Sequence, residues 1–346
     1  MATFARGLLF AFLFSQLAGC DDASHTVSRP LMTIEGKTMG TFYSVKISGE
    51  QKEGKELLQR EIDALLEQAN NEISTYRQDS TLSKFNQYRG NDPQPISNGT
   101  ADIILAAQRI GRATGGAMDI TVGPLVNLWG FGPQKQPTQI PSQQQIDATR
   151  QKIGLSHLKL VSDDRGEWIQ KDLPDLYVDL STLGEGYGAD LLAQLMAKKG
   201  ITNYLVSVGG AISSRGVNAE GMPWRVAIQK PTDRENAMQT AVNLQGYGIS
   251  TSGSYRNYFE RDGQRYSHVI DPATGRPITH QLVSVTVIAP TALEADGWDT
   301  GLMVLGREKA LALAQRQGLA VYLISKTEKG FQAEMTPQFQ SFLIAQ

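Results

Sequence analysis

The chain has 346 residues, with 33 lysines and arginines against 35 aspartates and glutamates, a formal net charge of −2, 40% hydrophobic residues and a single cysteine. Charge this near neutrality leaves no electrostatic footprint for duplex nucleic acid, a lone thiol closes no internal disulfide, and the apolar content is too high for a disordered chain. A folded body of enzyme size remains, either one large domain or two closely packed ones.

Arg6 precedes the apolar run LLFAFLF at 8–14, which is followed by Leu17-Ala18-Gly19-Cys20. Crossing a bilayer takes about 20 apolar residues, so the run reads as the core of a cleaved secretory signal, and no later segment is long enough to span. Leu-Ala-Gly-Cys resembles the lipobox of bacterial lipoproteins. That makes 1–19 a signal peptide, Cys20 the lipidated residue and 20–32 a tether leading to a domain at 33–346. Acyl chains contribute about 0.8 kcal/mol per buried CH2, so several together hold a soluble body at a membrane. Asp21 resembles the signal that retains Gram-negative lipoproteins in the inner membrane, so the expected location is the periplasmic side of that membrane.

Residues 33–48 predict two strands turning at Met39-Gly40, with Tyr43, Val45 and Ile47 alternating against Phe42, Ser44 and Lys46. Leu58, Ile62, Leu65, Leu66, Ala69 and Ile73 recur at helical spacing. A second helix is predicted from an Asn98 N-cap through Ile104 and Ala107 to Gly115-Gly116. Residues 117–122 read as a strand. Residues 130–145 read as a Gly/Pro/Gln-rich loop in which Ser142, with Gln145 three residues on, caps a helix. Further strands are predicted at 167–171, 177–180, 204–208, 224–229, 241–244, 282–288 and 320–324, and helices at 190–199 and 291–305. Strands and helices mix without strict alternation, which predicts an α+β fold. No repeat or linker divides the chain after residue 33.

Five polar clusters interrupt the core pattern: Thr38-Met39-Gly40-Thr41; Ser74-Thr75-Tyr76 with Asp79-Ser80; residues 119–124 (DITVGP); residues 179–186 (DLSTLGEG); and residues 267–272 (SHVIDP). Glycines and small hydroxyl residues let a backbone approach a ligand closely and offer N–H groups to phosphate oxygens. The run GEGYGA at 184–189 matches a dinucleotide fingerprint, but the acidic residue expected about 20 positions later is replaced by Val206, Ser207 and Val208, and Glu185 would set a carboxylate beside the pyrophosphate. A Rossmann site is therefore excluded. Asp296 and Thr300 fall at i and i+4 near a helix start, so their oxygens share one face, with Asp299 alongside. An oxygen-only pair with few protein ligands suits Mg2+, although an aspartate there is also favoured by the helix dipole. His268 ends a strand-like run beside the turn Asp271-Pro272, where a histidine can serve as a base near neutral pH.

In this order the motifs TMGTFY, STYRQDSTLSKFN, DITVGPLVNLWGFG, DLSTLGEGYGAD, SVGGAISSRG, GISTSGSYRN, SHVIDPATGRPI and EADGWDTGL resemble the bacterial FAD:protein FMN transferases, the thiamine-biosynthesis lipoprotein or ApbE family, over 33–346. The resemblance implies FAD as substrate, Mg2+ as cofactor, and a Ser/Thr hydroxyl on flavin-accepting subunits of membrane redox complexes as acceptor, with AMP released. It implies an FAD site formed by Met39, Tyr76, Ala117, Met118, Asp119, Asp179, Glu185 and Ile270, and a metal held by the Thr182 backbone oxygen, Asp296 and Thr300. Met118 stands where the family often has phenylalanine. Glu185 stands where many members carry lysine, so a ribose or adenine hydrogen bond suits it better than a phosphate contact. His268 is expected to take the acceptor's proton, oriented by Asp271. The alternatives are an Mg2+-dependent FAD pyrophosphatase, in which water replaces the acceptor, and a non-catalytic FAD-binding lipoprotein.

Overall fold

The computed structural model describes residues 28–132, 140–231, 238–255, 257–261 and 264–344. The expected signal peptide, Cys20 and most of the expected tether lie outside them, as does the middle of the 130–145 loop. Eight antiparallel strands form the main sheet: Leu31–Thr38, Thr41–Ser48, Tyr204–Val208, Ala211–Arg215, Gly248–Gly253, Leu282–Ala289, Ala320–Thr327 and Gly330–Met335. Their spatial order is their chain order. The sheet is thus a long meander, and the functional segments are insertions between neighbouring strands.

The alternation in the second strand is borne out: Tyr43, Val45 and Ile47 are buried while Phe42 and Lys46 are exposed. The turn before it places Met39 and Gly40 at φ +49° and +74°, a region that glycine enters freely. Toward the other end, strands are buried on both faces. Val321 and Leu323 join the largest apolar cluster, while Tyr322 and Ile324 join a second cluster with Ile249, Ile288 and Phe339. Such a strand reads as a continuous apolar run.

Helices Lys55–Ile73, Ser181–Lys198 and Ala292–Leu305 pack against the sheet. Leu58, Ile62, Leu66, Ala69 and Ile73 form the buried stripe of the first, as their spacing predicts. Ser142 and Gln145 form the expected capping box on helix Gln143–Arg150. Ser97, not Asn98, caps helix Asn98–Ala113.

Three expectations are corrected. Residues 117–122 form turns because local side chains capture the backbone: Thr114 Oγ1 accepts the Met118 N–H, and Asp119 Oδ1 accepts both the N–H and the hydroxyl of Thr121. Residues 177–180 join no sheet, and Leu180 already turns into the following helix at φ −97°, ψ 6°. Asn86 pairs with both backbone groups of Val178 at 2.8 Å, doing with a side chain what a neighbouring strand would do. The helix predicted at 190–199 starts instead at Ser181 and takes in the whole glycine-rich run. There Gly186 serves packing, since a Cβ on it would lie 2.5 Å from the Ala292 carbonyl oxygen.

Candidate active site

A cavity of about 880 Å3 opens between the sheet and the inserted segments, a size typical of small-molecule sites. Tyr76, Ala117, Asp119, Asp179, Thr182, Glu185, His268, Ile270, Asp296 and Thr300, predicted from separate parts of the chain, all line it.

The acidic end rests on the crossing of two helices. Because Gly186 lacks a side chain, helix Ser181–Lys198 approaches helix Ala292–Leu305 closely enough for the Gly186 N–H to donate to Asp296 Oδ2 at 2.8 Å. In a regular helix that N–H serves the Thr182 carbonyl. Asp190 fixes the same crossing, accepting the N–H groups of Ala292 and Leu293 at 2.9 Å each. Ser250 donates to the other Asp296 oxygen, Oδ1, at 3.1 Å.

Asp296 and Asp299 are both buried, and burial pushes both carboxyls well above the ordinary range. Neighbouring carboxylates add to the effect: Glu185 and Asp190 act on Asp296, and Asp296 acts on Asp299. The Thr300 hydroxyl donates to Asp299 Oδ1, while Asp299 Oδ2 is buried with no hydrogen-bond partner. Two buried carboxylates with an orphaned oxygen are costly without a cation. Among the described residues no three His, Cys, Asp or Glu side chains form a metal cage. The donors present are two carboxylates, a threonine hydroxyl and a backbone carbonyl, all oxygen, which fits Mg2+ that completes its shell with water and phosphate.

Glu185 also lines the cavity, and its Oε2 accepts the Gly210 N–H at 2.8 Å. Gly209, at φ +52°, leaves the space the carboxylate occupies, since a Cβ there would lie 2.1 Å from it. Burial raises the Glu185 carboxyl. Asp119 is likewise raised by burial, opposed by its bonds to Thr121. Asp179 opens helix Ser181–Lys198 by accepting the Ser181 N–H, and its own N–H donates to the Ile120 carbonyl, which brings the two aspartate loops together. Beneath them Lys171, 2% exposed, donates to the Leu176 carbonyl at 3.1 Å and sits 4.9 Å from the Phe85 ring centroid. Burial lowers its amine to about 8.

His268 is half-buried at the end of a hairpin. Its Nδ1 lies 3.0 Å from the Asn257 carbonyl oxygen. A carbonyl only accepts, so Nδ1 carries the proton and Nε2 keeps its lone pair. Burial lowers the imidazole's pKa, an effect the Asn257 carbonyl opposes. Phe131 meets the ring edge-on at 6.3 Å and stacks on Phe259, which stacks on Tyr266 and, through it, on Trp129.

Three predicted site residues do not line the cavity. Asp271 does not orient His268: its Oδ1 accepts the Ala273 N–H within a tight turn, and Asn257 supplies the orienting oxygen instead. Met118 is buried in the main core, because the turn at 117–119 presents its neighbours Ala117 and Asp119 to the cavity and turns Met118 inward. Met39 packs between two core clusters beneath the first turn. Sequence reasoning missed Phe42, 67% exposed at the rim with Tyr76 at 69%, as well as Phe131 and Asn257. Phe42 sits in the TMGTFY motif on the solvent side of the alternation, which was the one available signal.

The ApbE family model matches residues 39–323. The FAD:protein FMN transferase of Escherichia coli (strain K12) is 58% identical over 342 residues, covering 98% of this chain and 97% of that one. Among solved structures, the flavin transferase ApbE from Vibrio cholerae superposes with a TM-score of 0.84 at 43% identity, covering 91% of this chain and all of that one. The apo flavinyl transferase ApbE of Pseudomonas stutzeri gives 0.83 at 39% identity, covering 92% and 98%. With a family model spanning most of its length and relatives this similar end to end, the chain belongs to the ApbE family.

Proposed function

We propose that this chain is an FAD:protein FMN transferase, moving FMN from FAD to a Ser or Thr hydroxyl of an acceptor protein and releasing AMP. Its relatives carry that activity in their names, and its site has the parts the reaction needs. The observation that carries the chemistry is the buried pair Asp296 and Asp299, in which Asp299 Oδ2 has no hydrogen-bond partner and suits a cation. Asp296, Thr300 and the Thr182 carbonyl would hold Mg2+, with Asp299 supporting them. When bound, the ion offsets the charge of the FAD diphosphate and of the departing AMP.

The chain's own residues do the rest. Exposed Tyr76 and Phe42 offer flat faces to the flavin or adenine ring. Nε2 of His268 accepts the proton of the acceptor hydroxyl as its oxygen attacks the FMN-side phosphorus. One P–O bond forms, the diphosphate P–O bond breaks, and AMP carries away the bonding pair. The Asn257 carbonyl stabilises the resulting imidazolium through Nδ1–H.

The acceptors we infer are flavin-accepting subunits of membrane redox complexes. The proposed placement, a lipid anchor at Cys20 on the periplasmic side of the inner membrane, is supported by the Leu17-Ala18-Gly19-Cys20 sequence and Asp21. Among the described residues no helix is long and apolar enough to cross a membrane.

Nucleotide chromatography tests the reaction. With FAD and Mg2+, AMP is expected to accumulate only when acceptor protein is present. AMP and free FMN forming equally without acceptor would identify an FAD pyrophosphatase, and FAD left intact in both cases would identify a binding protein.

A further inference from the structure

Among the described residues the strand Arg225–Gln229 pairs only with Met238–Asn243, forming a two-stranded ribbon beside the main sheet. The far side of that partner strand is closed by the C-terminal segment: the Asn243 N–H donates to Phe342 O at 2.8 Å and the Ile344 N–H to Ala241 O at 3.2 Å. Successive residues of a strand point their backbone groups to opposite sides. Ala241 and Asn243 therefore face the C-terminal segment, and Val242 between them turns back toward Val226. The Leu244 N–H, donating to Trp224 O, keeps the same phase. Trp224, Val226 and Ile228 thus direct their backbone groups inward to the partner strand, and Arg225 and Ala227 direct theirs outward. Among the described residues no backbone hydrogen bond reaches Arg225 or Ala227 from that side.

The strand borders the active-site cavity from Val226 onward. Val226, Ala227, Ile228 and Gln229 all line it. Side chains alternate along the strand, with Val226 and Ile228 packing into an apolar cluster and Ala227 and Gln229 exposed on the other face. Four consecutive residues can line one cavity only if the strand presents its edge. The carboxylates that suit the nucleotide and metal lie elsewhere on the cavity wall. Here the lining residues Val226, Ala227, Ile228 and Ile249 are uncharged.

Resting on the transferase reading, we propose that the outer edge of Arg225–Gln229 receives an extended segment of the acceptor protein as an added strand, bringing its hydroxyl to His268. A folded acceptor surface cannot enter a concave site, whereas an extended segment can. Its N–H and C=O groups repeat every second residue, matching those offered by Arg225 and Ala227. Backbone recognition of this kind tolerates varied acceptor side chains. The irregular register between Ile228 and Gln229 limits the added ladder to the first residues of the strand.

The test uses the full chain with FAD, Mg2+ and a flavin-accepting redox subunit. Ala227→Pro removes one outward N–H, and proline is tolerated on an edge strand. It is expected to raise the acceptor KM by about tenfold while FAD affinity is kept, and Ala227→Val, which retains the N–H, is expected to keep the wild-type KM. A folded Ala227→Pro variant with unchanged acceptor KM overturns the proposal. Hydrogen–deuterium exchange on the wild type is independent of that variant's folding: slower exchange across 225–229 on adding acceptor is expected, and unchanged exchange overturns the proposal. Protection of this segment without acceptor, together with a concentration-dependent dimer, would assign the edge to a second copy and overturn it too. Failure of the wild type to flavinylate any acceptor would instead defeat the transferase reading.

Discussion

The Asn257 carbonyl decides which nitrogen of His268 does chemistry. By holding Nδ1–H it leaves Nε2 as the base, and burial keeps the ring neutral to a pH below its usual value of about 6.5. Transfer is therefore expected to hold its rate as pH falls to that value and to decline only below it. A rate already halved at pH 7 contradicts the assignment. His268→Ala is expected to slow transfer about 10²–10⁴-fold while FAD still binds, read by single-turnover kinetics beside a fluorescence titration. Equal loss of both would make the histidine a binding residue. The carboxylate pair makes a separate prediction. Asp296→Asn removes a carboxyl whose ionisation burial opposes and keeps hydrogen-bonding atoms near Ser250 and Gly186, so the metal-free variant is expected to melt no lower than wild type. The rise in Tm that Mg2+ gives the wild type is expected to vanish. A rise of equal size in the variant would move the metal elsewhere.

At the scale of elements, the glycine-rich helix is the clearest case of sequence and structure diverging. GEGYGA has the composition of a phosphate-binding turn, yet it lies inside helix Ser181–Lys198 because the neighbouring helix leaves no room for a Cβ at Gly186. Gly184, two residues earlier, meets only Ile73 Cδ1 at 3.8 Å. Gly186→Ala is therefore expected to lower unfolding free energy by about 1–3 kcal/mol through overpacking, whereas Gly184→Ala is expected to be neutral or to stabilise by up to about 1 kcal/mol through helix propensity. Denaturant melts that failed to separate the two would contradict the crossing described. The long elements are legible in sequence because burial imposes a period on them: 3.6 along Leu58 to Ile73, two along Tyr43 to Ile47. The segment at 117–122 is not, because local side-chain bonds from Thr114 and Asp119 hold it in turns, and 177–180 is not, because what fixes it is long-range. The Asn86 clamp on Val178 spans 92 residues, and strand-like composition carries no trace of it.

Over the whole molecule, a meandering sheet keeps sequence neighbours adjacent while its insertions converge on one cavity. The site was legible where two oxygens share a helical turn, as Asp296 and Thr300 do, and where the family's motifs mark positions one by one. It was illegible where the decisive partner lies outside the residue's own motif, as Asn257 does for His268 and Gly210 for Glu185. Motif position also says nothing about which way a side chain turns, which is why Met118 falls in the core between two residues that face the cavity. The convergence puts an acidic region, a strand edge and His268 on the wall of one cavity. The most direct test of this account is the intact mass of an acceptor protein incubated with the chain, FAD and Mg2+. The account predicts a gain of one FMN less water on a Ser or Thr, absent with Asp296→Asn. An acceptor of unchanged mass while FAD is consumed would contradict it.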